Sequence, residues 1–230
     1  MGPTKDSNQT RERLSAESRE PIRFAGTTLG DYGHICAFFH SPDEEYRALL
    51  PFIKEGLKCG EKAIHVVDPQ LREEHLRRLG SVGIDAAAAE QSGQLELRNW
   101  QDVYLRDGHF DRNKTLALFQ GAFDTAKQQG FPLTRLVAHM EWALEDRPGV
   151  NDLVEFETRV NYFLPYYYRD PVICVYDLAK FGADVVIDIM RTHPMVILGG
   201  ILQENPFFVP PDEFLRELRD REGRRTVASA

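Results

Sequence analysis

The chain has 230 residues, 42% of them apolar, which is enough for one α/β domain with a full core and too few for two comfortable ones. A formal charge of −8 argues against a direct nucleic-acid surface, since phosphate contacts need clustered lysine and arginine. The three cysteines, Cys36, Cys59 and Cys174, are odd in number and lack metal-type spacing, and no apolar run reaches the length of a membrane span, so a cytoplasmic protein without membrane contact is expected.

Residues 1–25 are polar and charged, and they read as a disordered tail without an apolar targeting core. The folded domain is expected over 26–211. Ile35 to Phe39 is a short apolar run of buried-strand type that stops at His40-Ser41-Pro42. A helix starts there, with Ser41 as N-cap, Pro42 at the first helical position and Glu44 completing a capping box. Tyr46, Leu49, Leu50, Ile53 and Leu57 form its apolar face, Gly60 stops it, and Ala63 to Val67 is a second strand ending in Asp68-Pro69. Gln70 to Leu79 suits a surface helix, Ala86 to Ala89 a short one, and Gln94 to Arg98 a third strand. The long connection Trp100 to Phe110, which holds Tyr104, Gly108 and His109, is of the kind that roofs a site. Asp111 or Asn113 caps the next helix, which carries Leu116, Phe119 and Phe123. Leu133 to Met140 is the fourth strand, Asn151 to Leu164 a helix followed by the patch Tyr166-Tyr167-Tyr168, and Val172 to Tyr176 the fifth strand. Phe181 to Met190 is helical, and Met195 to Leu202 is β-like with a Gly199-Gly200 hairpin turn. Residues 212–230 form a terminal helix and tail, with Phe214, Leu215 and Leu218 on one stripe that must dock on its own domain, a second copy or a partner.

A strand running straight into a helix is also the layout of a phosphate-binding loop. That chemistry needs glycines, so that backbone N–H groups can approach phosphate, and a lysine at the helix start. The loop from His40 to Glu45 has neither, and Asp43, Glu44 and Glu45 already use the positive end of the helix dipole. No ATP binding is expected.

Five stretches together resemble one known family: HICAFFHSPDEEY from His34, PFIKEGLKCGEKAIHVVD from Pro51, MEW at Met140 to Trp142, CVYD at Cys174 to Asp177 and HP at His193-Pro194. Their order and spacing look like the MEDS domain, the sensory domain named for methanogens, methylotrophs and the dichloromethane-responsive regulator. The resemblance covers about residues 30 to 210. It implies a three-layer α/β fold with a mostly parallel central sheet flanked by helices, RecA-like and related to KaiC-type ATPases but without a Walker A motif. It also implies a role in sensing small hydrocarbon derivatives. The family's opening motif has a histidine and an aromatic where this chain has His34 and Phe39; tyrosine is common at the second place, and Phe39 lacks its hydroxyl. The family's output module, a kinase or DNA-binding unit, finds no counterpart in the remaining residues, which implies action through a regulatory protein partner.

In open parallel α/β sheets the ligand crevice lies beyond the carboxyl ends of the strands, which places His40, Asp68, Glu141, Trp142, Tyr176 and Asp177 on one rim. With the family's matching positions added, the expected ligand-binding residues are His34, Cys36, Phe39, His40, Glu141, Trp142, Tyr176, Asp177 and His193. Trp142 and Tyr176 are expected to line an apolar cavity. Cys36 and Cys174 read as small hydrophobes in buried strands. His34 and Cys36 share a strand face and could join Cys174 on a metal, but C-x-x-C and H-x-x-x-H spacings are missing, so no metal and no other cofactor is expected. No nucleophile–base arrangement such as G-x-S-x-G is present, and Glu141 is read as an anchor rather than a catalyst. A small-molecule enzyme using the same crevice, or a degenerate ATPase-like interaction module, are the alternatives.

Overall fold

The computed structural model describes residues 22–29, 33–167 and 170–228, with side chains except those of 165–167 and 225–228. Residues 1–21 of the expected tail and the Tyr166-Tyr167-Tyr168 patch therefore lie outside the described side chains. The order is β1 (Arg23–Phe24), β2 (Thr27–Thr28), β3 (His34–Phe39), α1 (Pro42–Lys58), β4 (Lys62–Val67), α2 (Arg72–Ser81), α3 (Ala86–Gln91), β5 (Leu95–Asn99), α4 (Trp100–Val103), α5 (Arg112–Gln128), β6 (Thr134–His139), α6 (Leu153–Tyr167), β7 (Val172–Asp177), α7 (Ala183–Thr192), β8 (Met195–Leu198), β9 (Ile201–Glu204) and α8 (Pro211–Ala228). Among the described residues no helix is long and apolar enough to cross a membrane.

The large sheet has the order β5-β4-β6-β7-β3-β8-β9, parallel throughout except for the β8–β9 hairpin. Strands β3, β4, β6 and β7 are buried at almost every position because helices cover both faces, which is why they read as continuous apolar runs rather than as alternation. The pleat divides their side chains between two cores. Cys36, Phe38, Leu136, Ala138, Cys174 and Tyr176 face α5 and α6, while Ile35, Ala37, Phe39, Val137, Ile173 and Val175 face α1 and the β1–β2 hairpin. The protein is thus a three-layer α/β domain with a mostly parallel central sheet.

Local rules account for the opening βαβ unit. Ser41 Oγ accepts from the Glu44 N–H at 3.3 Å, and the Glu44 carboxylate reaches back to accept from the His40 N–H at 2.9 Å, one residue earlier than in the standard box. Gly60 takes φ 76°, which closes α1 onto β4.

Two expectations are corrected, and one left open, the docking of the α8 stripe, is decided. The tail does not extend to residue 25, because Phe24 in β1 is buried with its ring 4.3 Å from that of Phe52, and the Ala25 carbonyl accepts from the Leu202 N–H. Trp100 to Phe110 is not a roof over the strand-end crevice. It buries Trp100, Val103, Tyr104, Leu105 and Phe110 in the core on the α5/α6 face. The stripe of α8 docks on its own domain: Phe214 and Leu215 are buried, and Arg191 of α7 pairs with Glu217 at 2.6 Å while Arg221 pairs with Asp188 of α7 at 2.8 Å.

Candidate functional site

Strand β3 sends its chain to β4 on one side of the sheet, and β7 sends its chain across to β8 on the other. Such a divergence opens a crevice beyond the carboxyl ends of the strands. A pocket of about 70 Å³ lies there. Phe39, Tyr46, Val67, Leu71 and Val175 give it apolar walls, and Glu45, Asp68, His139, Glu141, Asp177 and Lys180 reach its edge.

The polar groups are strongly tied. His139 donates from Nε2 to Glu45 Oε1 at 2.7 Å and from Nδ1 to the Val66 carbonyl at 3.2 Å, so both ring nitrogens carry protons. Burial opposes that charge, but the Glu45 carboxylate, with help from Glu141, raises the imidazole to a pKa of about 9. Beside it, His75 bridges Tyr46 and His65, with the Tyr46 hydroxyl 2.9 Å from Nδ1 and His65 Nδ1 2.9 Å from Nε2. Burial holds His65 neutral, at about 3, and lowers His75 as well. Lys180 spans the two acids of the rim, 3.5 Å from Glu141 and 3.4 Å from Asp177. Asp177 also accepts from the Ala179 N–H. Glu141 Oε2 is buried without a hydrogen-bond partner.

A second polar cluster lies on the other face of the sheet. His34 at the start of β3, Glu157 of α6, Cys174 of β7 and His193 after α7 are all buried. One oxygen of Glu157 is 3.2 Å from His34 Nε2, 3.5 Å from His193 Nε2 and 3.6 Å from Cys174 Sγ. The other oxygen accepts from the Tyr176 hydroxyl at 2.9 Å. Burial lowers both imidazoles to about 3 and raises the Glu157 carboxyl and the Cys174 thiol. Among the described residues these are the side chains that could share one metal ion.

The expected site residues are therefore divided. Phe39, Glu141, Tyr176 and Asp177 do meet at the crevice, together with Asp68. His34 and His193 sit in the buried cluster, with ring centroids 3.9 Å apart. Cys36 does not join them, because its Sγ turns to the Met195 carbonyl at 3.7 Å, so the partner of His34 is Cys174. His40 is exposed outside the pocket lining. Trp142 is core: it is 0% exposed, its ring stacks on Tyr104 at 4.4 Å and it touches Phe110 at 4.5 Å. The chain turns inward after β6 at Trp142, so the residue next to a rim acid is itself beneath the sheet edge. Tyr176 belongs to the pocket wall, but its ring lies on the opposite face against Phe38 and Phe181.

Sequence reasoning missed His139, Glu45 and Glu157. The sign for Glu157 was present: it falls four residues after Leu153 and three before Val160, so it is an acid on the apolar stripe of α6, followed one turn later by Asn161.

The transcriptional repressor DcmR of Methylorubrum extorquens is 26% identical over 181 residues, a stretch that makes up 78% of this chain and 64% of that protein. The model of the methanogen/methylotroph, DcmR sensory domain matches residues 33–194, from the start of β3 to the His193-Pro194 pair. The chain therefore belongs to the MEDS family of sensory domains.

Proposed function

We propose that the strand-end crevice binds a small, largely apolar organic molecule and that this non-catalytic sensory domain passes its occupancy to a regulatory protein partner in the cytoplasm, in the control of transcription. The observation that carries the reading is the lining itself, apolar walls with a few convergent polar groups at the sheet's switch point. A volume of about 70 Å³ is well under the ~300–1,000 Å³ of drug-sized sites and fits an occupant of a few heavy atoms, in keeping with a hydrocarbon derivative. The carboxylates Glu45, Asp68, Glu141 and Asp177 outnumber His139 and Lys180, which disfavours anions and phosphates. Anchoring rather than catalysis is supported by the ties on the rim, where Glu141 and Asp177 share Lys180 and His139 is engaged at both nitrogens. The matched repressor supports a regulatory role, and the net charge of −8 supports action through protein rather than by direct nucleic-acid contact.

Mass spectrometry of molecules released from freshly purified protein tests the proposal. The expected result is a small organic molecule carried by the wild type and lost in Leu71→Trp, a change at the exposed mouth of the crevice. A molecule retained by Leu71→Trp places binding elsewhere, and conversion of an added compound with a covalent intermediate means an enzyme.

A further inference from the structure

We propose that His34, Glu157, Cys174 and His193 form a closed four-ligand site for a borderline divalent cation, zinc by its donor set. The site lies across the sheet from the crevice and does not depend on how the crevice is read.

Hydrogen positions lead to it. Asn161 donates its amide N–H groups to the carbonyls of Thr192, Glu157 and Thr158, so its Oδ1, 3.1 Å from His34 Nδ1, accepts from that nitrogen. His193 Nδ1 faces the Ile189 carbonyl at 3.0 Å and must likewise donate. With Nδ1 donating in each ring, Nε2 of the neutral imidazole is the lone-pair nitrogen, and both Nε2 atoms face Glu157 Oε2, itself an acceptor. A proton on Glu157 can serve one of them. His193 Nε2 is then a fully buried acceptor without a hydrogen-bond partner. A cation among the four satisfies every lone pair at once.

The spacing agrees. Zinc bonds of about 2.0–2.3 Å to nitrogen, oxygen and sulfur in a tetrahedron separate the ligand atoms by about 3.3–3.6 Å. The observed separations are 3.2 Å for His34 Nε2 to Glu157, 3.5 Å for His193 Nε2 to Glu157, 3.6 Å for Cys174 to Glu157 and 3.7 Å for Cys174 to His34 Nε2. All four ligand atoms lie within 4.8 Å of one another. Charge balances too: a divalent cation with one thiolate and one carboxylate is neutral, which is what a site this deeply buried requires, and the thiol and carboxyl protons leave to solvent as it binds. Outer partners hold the ligands as metal sites commonly do, with Asn161 on His34, the Ile189 carbonyl on His193 and the Tyr176 hydroxyl on Glu157. Four protein ligands leave no open position, so the ion staples β3, α6, β7 and the end of α7 rather than activating water.

The test is elemental analysis of the full chain purified from zinc-supplemented cells, with the wild type unfolded in chelator and refolded with cobalt(II) as a second measurement. Expected are about one zinc per chain, a thiolate-to-cobalt charge-transfer band with tetrahedral d–d absorption, and loss of both in Cys174→Ser and His193→Gln. Asn161→Ala should weaken the metal roughly 10–100-fold through His34. The cobalt spectrum of the wild type keeps the proposal falsifiable if the ligand variants do not fold. A metal-free wild type that shows no cobalt–thiolate band overturns it, as does zinc retained at full occupancy by folded Cys174→Ser.

Discussion

Replacing Trp142 by alanine separates a core position from a pocket wall. The indole is 0% exposed, stacked at 4.4 Å and 11° on Tyr104 and packed at 4.5 Å against Phe110. Its Nε1–H has no hydrogen-bond partner, so truncation removes packing and apolar burial without breaking a polar contact. The expected loss is about 3–5 kcal/mol. For a domain of this size each kcal/mol corresponds to roughly 2–4 °C, so the melting temperature should fall by about 6–20 °C. Trp142→Phe, which keeps a ring against Tyr104, should fall by much less. Thermal and urea melts followed by circular dichroism measure both variants. If Trp142→Ala melts within about 2 °C of wild type while losing its ligand, the indole is a pocket wall and the assignment to the core is wrong.

The His139–Glu45 pair has a signed pH dependence. His139 rises from 6.5 to about 9 on folding, so its contribution is fully present below pH 6.5 and is lost as the pH rises through 9. Melting temperatures of wild type and Glu45→Gln across this window should diverge at low pH and converge at high pH. An unchanged gap would remove the ion pair as the cause. Calorimetry with MgATP should show no micromolar binding, because Asp43, Glu44 and Glu45 occupy the start of α1; heat that disappears when this loop is changed would refute that. Phe214→Ala should cost about 3–5 kcal/mol with an unchanged assembly state by light scattering, since the ring is fully buried against its own domain; a shift in assembly without loss of stability would make α8 an interface element.

What the sequence by itself determined is what neighbouring residues decide among themselves. The Ser41 cap, the apolar face of α1, the buried runs of β3, β4, β6 and β7 and the Gly199-Gly200 hairpin depend on contacts within a few residues, and each formed where the spacing placed it. The rule that ligands gather beyond parallel strand ends brought Asp68, Glu141, Tyr176 and Asp177 together, while His40 and Trp142, which it also named, lie outside the pocket lining. The tertiary structure alone decided which side chains cross between elements. His34 and Cys36 share a strand face, yet His34 meets Cys174 because β3 pairs with β7 and α6 brings Glu157 over that seam, while Cys36 turns to β8. His139 and Glu45 lie 94 residues apart, and nothing local to either marks a pair. Trp142 and Glu141 are adjacent in sequence, but the turn after β6 sends one into the aromatic core and leaves the other at the crevice, a choice set by the space that Tyr104 and Phe110 leave for an indole.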